Sequence, residues 1–158
     1  LITALTAPSP DLRAKTGGLL AGGAALALEE TVTDGIKAAA GRQRPDGSDD
    51  ESFSSGHAGT AAAATTLALA NLDHHRLPRW ADGALRVGFH GLAAGTAWAR
   101  VEAEKHYPTD VLAGYAVGRF VAGVVQRAFI TPVAPALTLR FDPEPGGAAL
   151  TLVYVPAR

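Results

Sequence analysis

Residues Ser52 to Leu72 read SFSSGHAGTAAAATTLALANL, and this stretch decides the fold class. It carries no Asp, Glu, Lys or Arg, and its apolar positions do not alternate at the period of two that a half-buried strand needs. A helix is expected from about His57 to Leu72, entered through a serine- and glycine-rich segment. The same Ala- and Leu-rich texture with scattered glycine continues to about residue 130. It predicts further helices at about Asp11–Glu29, Val32–Gly41, Pro78–Ala103 and Pro108–Phe129. The pairs Ser9-Pro10-Asp11, Leu77-Pro78 and Tyr107-Pro108 are start signals, because proline suits the first helical turn. The last helix should stop at Thr131-Pro132. The expectation is an all-α, compact bundle of about five to six helices.

Past Pro135 the pattern changes. Leu137, Leu139 and Phe141 alternate with Thr138 and Arg140, and Pro143 to Gly147 reads as a turn. A second apolar run, Leu150 to Val155, completes a hairpin signal. The chain therefore divides into a helical domain, residues 1–135, and a C-terminal β-hairpin extension, residues 136–158.

Composition removes several classes of function. With 47% apolar and 18% charged residues, the chain is neither a disordered segment nor a coiled coil. A net charge of -1 lacks the basic excess of a nucleic-acid binder. Having no cysteine, it has no disulfides, thiol catalysis or cysteine-based zinc site. It opens Leu1-Ile2-Thr3 with no methionine, so the native start is read as removed, which leaves a signal peptide or membrane anchor open. A membrane-spanning helix needs about 20 predominantly apolar residues. Ser52–Leu72 is diluted by polar residues, Gly17–Leu28 is short, and Val111–Ile130 carries Arg119 and Arg127. These read as buried or half-buried helices, with a spanning role for the Val111 helix as the alternative.

Three segments carry chemistry. Lys37, Arg42, Arg44 and Pro45 place cations where a helix enters a loop; alone, they match the ordinary closing of a helix dipole. Ser52 to His57 sets small residues and a histidine at a helix N-terminus, where free amides and the dipole favour an oxyanion. The plain alternative is a serine cap beside an incidental histidine. The third segment runs from Ala99 to Asp110. Its His106 and Asp110 are four apart, and a carboxylate accepting the ring N–H would leave the other nitrogen ready to attack. The plain alternative is a capping aspartate beside a surface histidine. Taken together, Lys37, Arg44 and Arg100 can balance a doubly charged phosphate and its five-coordinate transition state. Of the two histidines, one can attack and the other protonate the leaving oxygen.

These blocks resemble the signature of the type 2 phosphatidic acid phosphatase and vanadium haloperoxidase superfamily, K-x6-R-P, P-S-G-H and S-R-x5-H-x3-D. Lys37, Arg44 and Pro45 match the first block. Ser55, Gly56 and His57 match the second, with Ser54 in place of proline, a position from which Ser54 can still cap the helix. Arg100, His106 and Asp110 match the third, with Ala99 in place of serine. The resemblance implies a metal-independent phosphoric monoester hydrolase of all-α fold that needs no cofactor and is inhibited by vanadate as a phosphate mimic. It implies His106 as the nucleophile that becomes a phosphohistidine, Asp110 as its orienting group, and His57 as general acid and later base. It further implies that Lys37, Arg44, Arg100, Ser55 and the Gly56 amide hold the phosphate oxygens. The substrate would be a lipid phosphate, an isoprenyl diphosphate or a small soluble ester, with a membrane surface as a partner and an extracytoplasmic, periplasmic or membrane-associated location. Two other readings compete: a vanadium-dependent haloperoxidase, and a non-catalytic anion-binding module on the same scaffold.

Outside this set, Asp46, Asp49, Asp50 and Glu51 read as a solvated acidic loop rather than a cation site. His74 and His75 read as loop residues, with metal binding as a remote alternative, and His90 as a packed core histidine. Arg42 either lines the anion site or faces water.

Overall fold

The computed structural model describes residues 12–130, 137–144 and 147–154, and side chains from 16 to 129. Four α-helices form the body: α1 (Leu12–Ala40), α2 (Gly56–Leu72), α3 (Arg79–Glu102) and α4 (Pro108–Val125). A π-helical turn, Gln126–Ile130, continues α4. Strands β1 (Leu137–Glu144) and β2 (Gly147–Tyr154) pair antiparallel, with Leu137 opposite Tyr154. The start signal Ser9-Pro10-Asp11, the stop at Thr131-Pro132, the centre of the expected turn (Pro145, Gly146) and Val155 lie outside the described residues.

The two helices expected before Gly41 are one. Nothing between Glu29 and Thr33 breaks a helix, since β-branched residues cost only a few tenths of a kcal/mol there. Thr31 donates its hydroxyl to the Ala27 carbonyl at 2.8 Å. The buried carboxylate of Glu29 accepts the hydroxyls of Thr33 and, from α2, Thr60, both at 2.9 Å. Helix α1 ends where Gly41 takes φ +50°, the left-handed geometry common after a helix.

The central helix is α2, which packs on α1, α3 and most extensively α4. Two glycines make the α2–α4 approach close enough for backbone to touch backbone. A Cβ on Gly118 would sit 2.0 Å from the Gly59 carbonyl oxygen, and one on Gly114 2.2 Å from that of Ser55. Ser55 belongs to the loop entering α2, so the seam also fixes that loop against α4. The apolar cluster behind it is built from small residues, with Ala25, Ala63, Leu67, Ala122 and Val125 buried.

Helix α3 lies largely open. Only Ala93 is buried on it, while Trp80 (78%) and Trp98 (69%) stand largely exposed. His90 is likewise exposed, not a core residue: it lines an apolar groove of about 570 Å³ with Trp98, Val101, Val111 and Tyr115. The reason is geometric, as α3 lies on α2 but touches α4 only lightly. No helix among the described residues is long and apolar enough to cross a membrane.

Candidate active site

Four helix ends converge on one place. The C-terminal turn of α1 brings Lys37, the following loop Arg44, and the N-terminus of α2 Ser55, Gly56 and His57. The end of α3 brings Arg100, the α3–α4 turn His106, and the first turn of α4 Asp110. Each is fixed locally. Ser55 caps α2 by accepting the Ala58 N–H at 3.5 Å, which leaves the first amides of the helix without intrahelical acceptors. Ser54 does not serve as a cap: its hydroxyl is buried without a hydrogen-bond partner among the described residues. The carbonyl of Arg100 accepts the N–H groups of both Lys105 and His106, each at 3.2 Å, which locks the turn carrying His106.

His106 is buried, at 3% exposure. Its Nδ1 lies 2.7 Å from the Ser52 carbonyl oxygen; a carbonyl can only accept, so Nδ1 bears the proton. Burial pushes its pKa below the ordinary 6.5, helped by Arg44 and Arg100 and opposed by the Ser52 bond and Asp110. The ring is therefore neutral at pH 7, with the lone pair on Nε2. That atom lies 3.4 Å from a guanidinium nitrogen of Arg44.

The direct bond expected from His106 to Asp110 is replaced. The Ser52 carbonyl holds the ring, and the carboxylate of Asp110 is engaged elsewhere. One oxygen accepts Arg42 at 2.6 Å and, more weakly, the Thr109 hydroxyl at 3.4 Å; the other accepts the Ser52 hydroxyl at 2.5 Å and the Tyr107 N–H at 2.9 Å. As the third residue of α4, Asp110 reaches back to its own helix start, as a capping-box carboxylate does. Arg42 remains 40% exposed to water, pairs with Asp110 and stacks 4.1 Å over the Tyr107 ring.

His57 is exposed at the mouth of the site. Its pKa is also lowered, by partial desolvation first and then by the charges of Arg100, Lys37 and Arg44. Both histidines therefore feel Arg44 and Arg100. The Lys37 ammonium lies 3.8 Å from where a Cβ on Gly56 would sit, and Lys37, Gly56 and His57 line one cavity of about 500 Å³ with Thr33 and Thr60. The Nε of Arg100 is buried with no hydrogen-bond partner among the described residues. A converging set of cations, helix-start amides and an unengaged guanidinium donor can hold a tetrahedral oxyanion.

The acidic loop is not simply solvated. Asp49 bonds Nε of Arg44 at 2.5 Å and Asp46 pairs with Lys105. The Asp46 carboxyl is held well below its usual range by Lys105 and Ser48, and that of Asp49 is lowered by the Glu51 N–H and then Arg44. His74 and His75 stand apart from the site, and no cluster among the described residues could hold a metal ion. Ser52 was absent from the candidate residues, since its part depends on contacts 54 and 58 positions away.

The fold and the site together describe a helical protein in which four helix ends bring two histidines and several cations to one place. The model of the PAP2 superfamily matches residues 18–132, and the chain belongs to that superfamily. It is also similar to Lipid A 1-phosphatase of Porphyromonas gingivalis, at 33% identity over 111 residues. That match covers 69% of this chain and 24% of the relative, so the chain spans about a quarter of the curated protein it resembles. No solved structure matches the chain.

Proposed function

We propose that this chain is the catalytic domain of a metal-independent phosphatase that acts on a phosphorylated lipid through a phosphohistidine. The observation that supports it most is the state of His106: buried, neutral, protonated on Nδ1, and carrying its lone pair on Nε2 beside Arg44. In the first step Nε2 attacks phosphorus, an N–P bond forms, and the P–O bond to the leaving group breaks. The departing oxygen takes a proton from His57. In the second step His57 removes a proton from water, the hydroxide attacks phosphorus, and the N–P bond breaks to release phosphate. Lys37, Arg44 and Arg100 offset the charge of the phosphoryl oxygens in both transition states. Desolvation lowers the pKa of His57 first and the charges of Arg100, Lys37 and Arg44 add to it; a bound dianion offsets those charges, so substrate binding favours the protonated acid.

The lipid substrate is favoured over a small soluble ester by the apolar groove. Val101 and Pro108, which line it, directly follow Arg100 and Tyr107 in the chain, so an acyl chain there would lie beside the phosphate site. The same exposed apolar residues suit a membrane surface, and an extracytoplasmic location accords with this reading. The similarity to a protein named Lipid A 1-phosphatase supports it.

The test is phosphate release from p-nitrophenyl phosphate and from phosphatidate in mixed micelles, in the presence of a chelator. The reading expects release from both, preference for the lipid, and inhibition by vanadate. Halide oxidation appearing only with vanadate would support a haloperoxidase instead. Tight phosphate binding with no turnover would support an anion-binding module.

A further inference from the structure

Three backbone and side-chain links around His106 form a closed circuit outside the groups that touch phosphate. The Ser52 N–H donates to the Arg42 carbonyl at 2.9 Å. The guanidinium of Arg42 donates to one oxygen of Asp110, and the Ser52 hydroxyl donates to the other. The Ser52 carbonyl then accepts the Nδ1–H of His106. Ser52 and Asp110 are fully buried, so the Ser52–Asp110 and Ser52–His106 bonds work in a low-dielectric setting where a lost partner is costly, while Arg42 reaches Asp110 from a side chain 40% exposed.

We propose that Ser52 and Arg42 are positioning residues that fix the tautomer and aim of His106, with Asp110 as the shared anchor; this rests on the phosphatase reading. Asp110 acts at one remove. It holds the Ser52 hydroxyl, and that holds the carbonyl on which the ring hangs. Arg42 sets its guanidinium against the buried Asp110 side chain at 2.6 Å, and its stacking on Tyr107 ties the circuit to the start of α4. Partners of this kind behind a working histidine typically alter function by about 10- to 100-fold when removed.

The experiment uses the full chain with Ser52→Ala, Ser52→Thr and Arg42→Lys, and Asp73→Asn in the surface Asp73–Arg86 pair as control. Kinetics on p-nitrophenyl phosphate are read beside the ring ¹⁵N shifts of His106. Ser52→Ala and Arg42→Lys should lower kcat about 10- to 100-fold with KM within about twofold, and convert a single Nδ1–H tautomer into a mixture. Ser52→Thr, which keeps the hydroxyl, should recover most of kcat. Should Ser52→Ala not fold, Arg42→Lys decides by the same two readouts. Unchanged kcat and tautomer in the folded variants overturn the proposal, as does a loss accounted for wholly by a smaller folded fraction. If the parent itself releases no phosphate, the phosphatase reading falls, and the ring shifts still decide whether the circuit positions His106.

Discussion

The seam between α2 and α4 and the outer face of α3 are built on opposite plans. At the seam the largest fully buried side chains are polar, among them Ser52, Ser55 and Asp110, with alanine filling the rest, and glycine lets the backbones meet. On α3 the large apolar side chains point outward, and Trp80, Val87, Leu92 and Trp98 are each more than two-thirds exposed. An ordinary soluble domain has the reverse arrangement. The difference teaches that the closest backbone packing lies where the site residues meet, while the large apolar side chains of α3 stay outside it.

The largest effect should come from wedging the seam. Gly118→Leu must push a side chain into the Gly59 backbone, and we expect loss of cooperative folding by calorimetry, a cost above about 4 kcal/mol. Gly88→Ala on α3, where a Cβ meets nothing within 4 Å, should instead raise stability by about 0.5–1 kcal/mol. Equal behaviour of the two would erase the contrast. Next in size is Asp110→Ala, which strands Arg42 and the Ser52 hydroxyl. Urea denaturation should show a loss of about 3–5 kcal/mol, with turnover abolished in the fraction that stays folded.

A smaller and more selective effect is expected on α3. Trp98→Ser should raise KM for phosphatidate by about tenfold, from about 1.5–3 kcal/mol of lost apolar contact, and leave p-nitrophenyl phosphate kinetics alone. A parallel change for both substrates would remove the groove from the account. The smallest effect concerns pH. His57 must be protonated to act as acid and its free-enzyme pKa lies below 6.5, so kcat/KM should fall as pH rises through that value. Arg100→Gln removes the largest charge acting on His57. Its pKa then rises, and the alkaline limb should move to higher pH by less than about one unit; a shift to lower pH would reverse the electrostatic assignment.

How much of this was legible in the sequence varies with the range of the interaction. The order and spacing of Lys37, Arg44, Ser55 to His57, Arg100, His106 and Asp110 marked residues that the fold brings together, because each block sits at a helix end that proline, glycine or a serine cap announces. The helical class was legible for the same reason. Asp110 does lie in the first turn of the helix that Pro108 opens, but the four-residue gap misled about its partner, because the carboxylate is taken by the Tyr107 N–H, the Ser52 hydroxyl and Arg42. Ser52 and Arg42 lay within the chemistry-bearing segments, but their pairing with Asp110 carried no local signal, since those bonds close loops of 58 and 68 positions. A helix boundary was expected between Glu29 and Val32, but the anchoring of Glu29 by Thr60 is a tertiary contact that overrides weak propensity. The exposed face of α3 was hidden too, since apolar composition does not say which side of a helix finds a partner.

The central claim is that His106 attacks phosphorus. The direct measurement is rapid quench with ³²P-labelled substrate into alkaline denaturant, which preserves an N–P bond, followed by peptide mapping. The account predicts label on His106 in the parent, accumulating when His57→Ala slows release, and none in His106→Ala. Label on a serine, or turnover that survives His106→Ala, would contradict it.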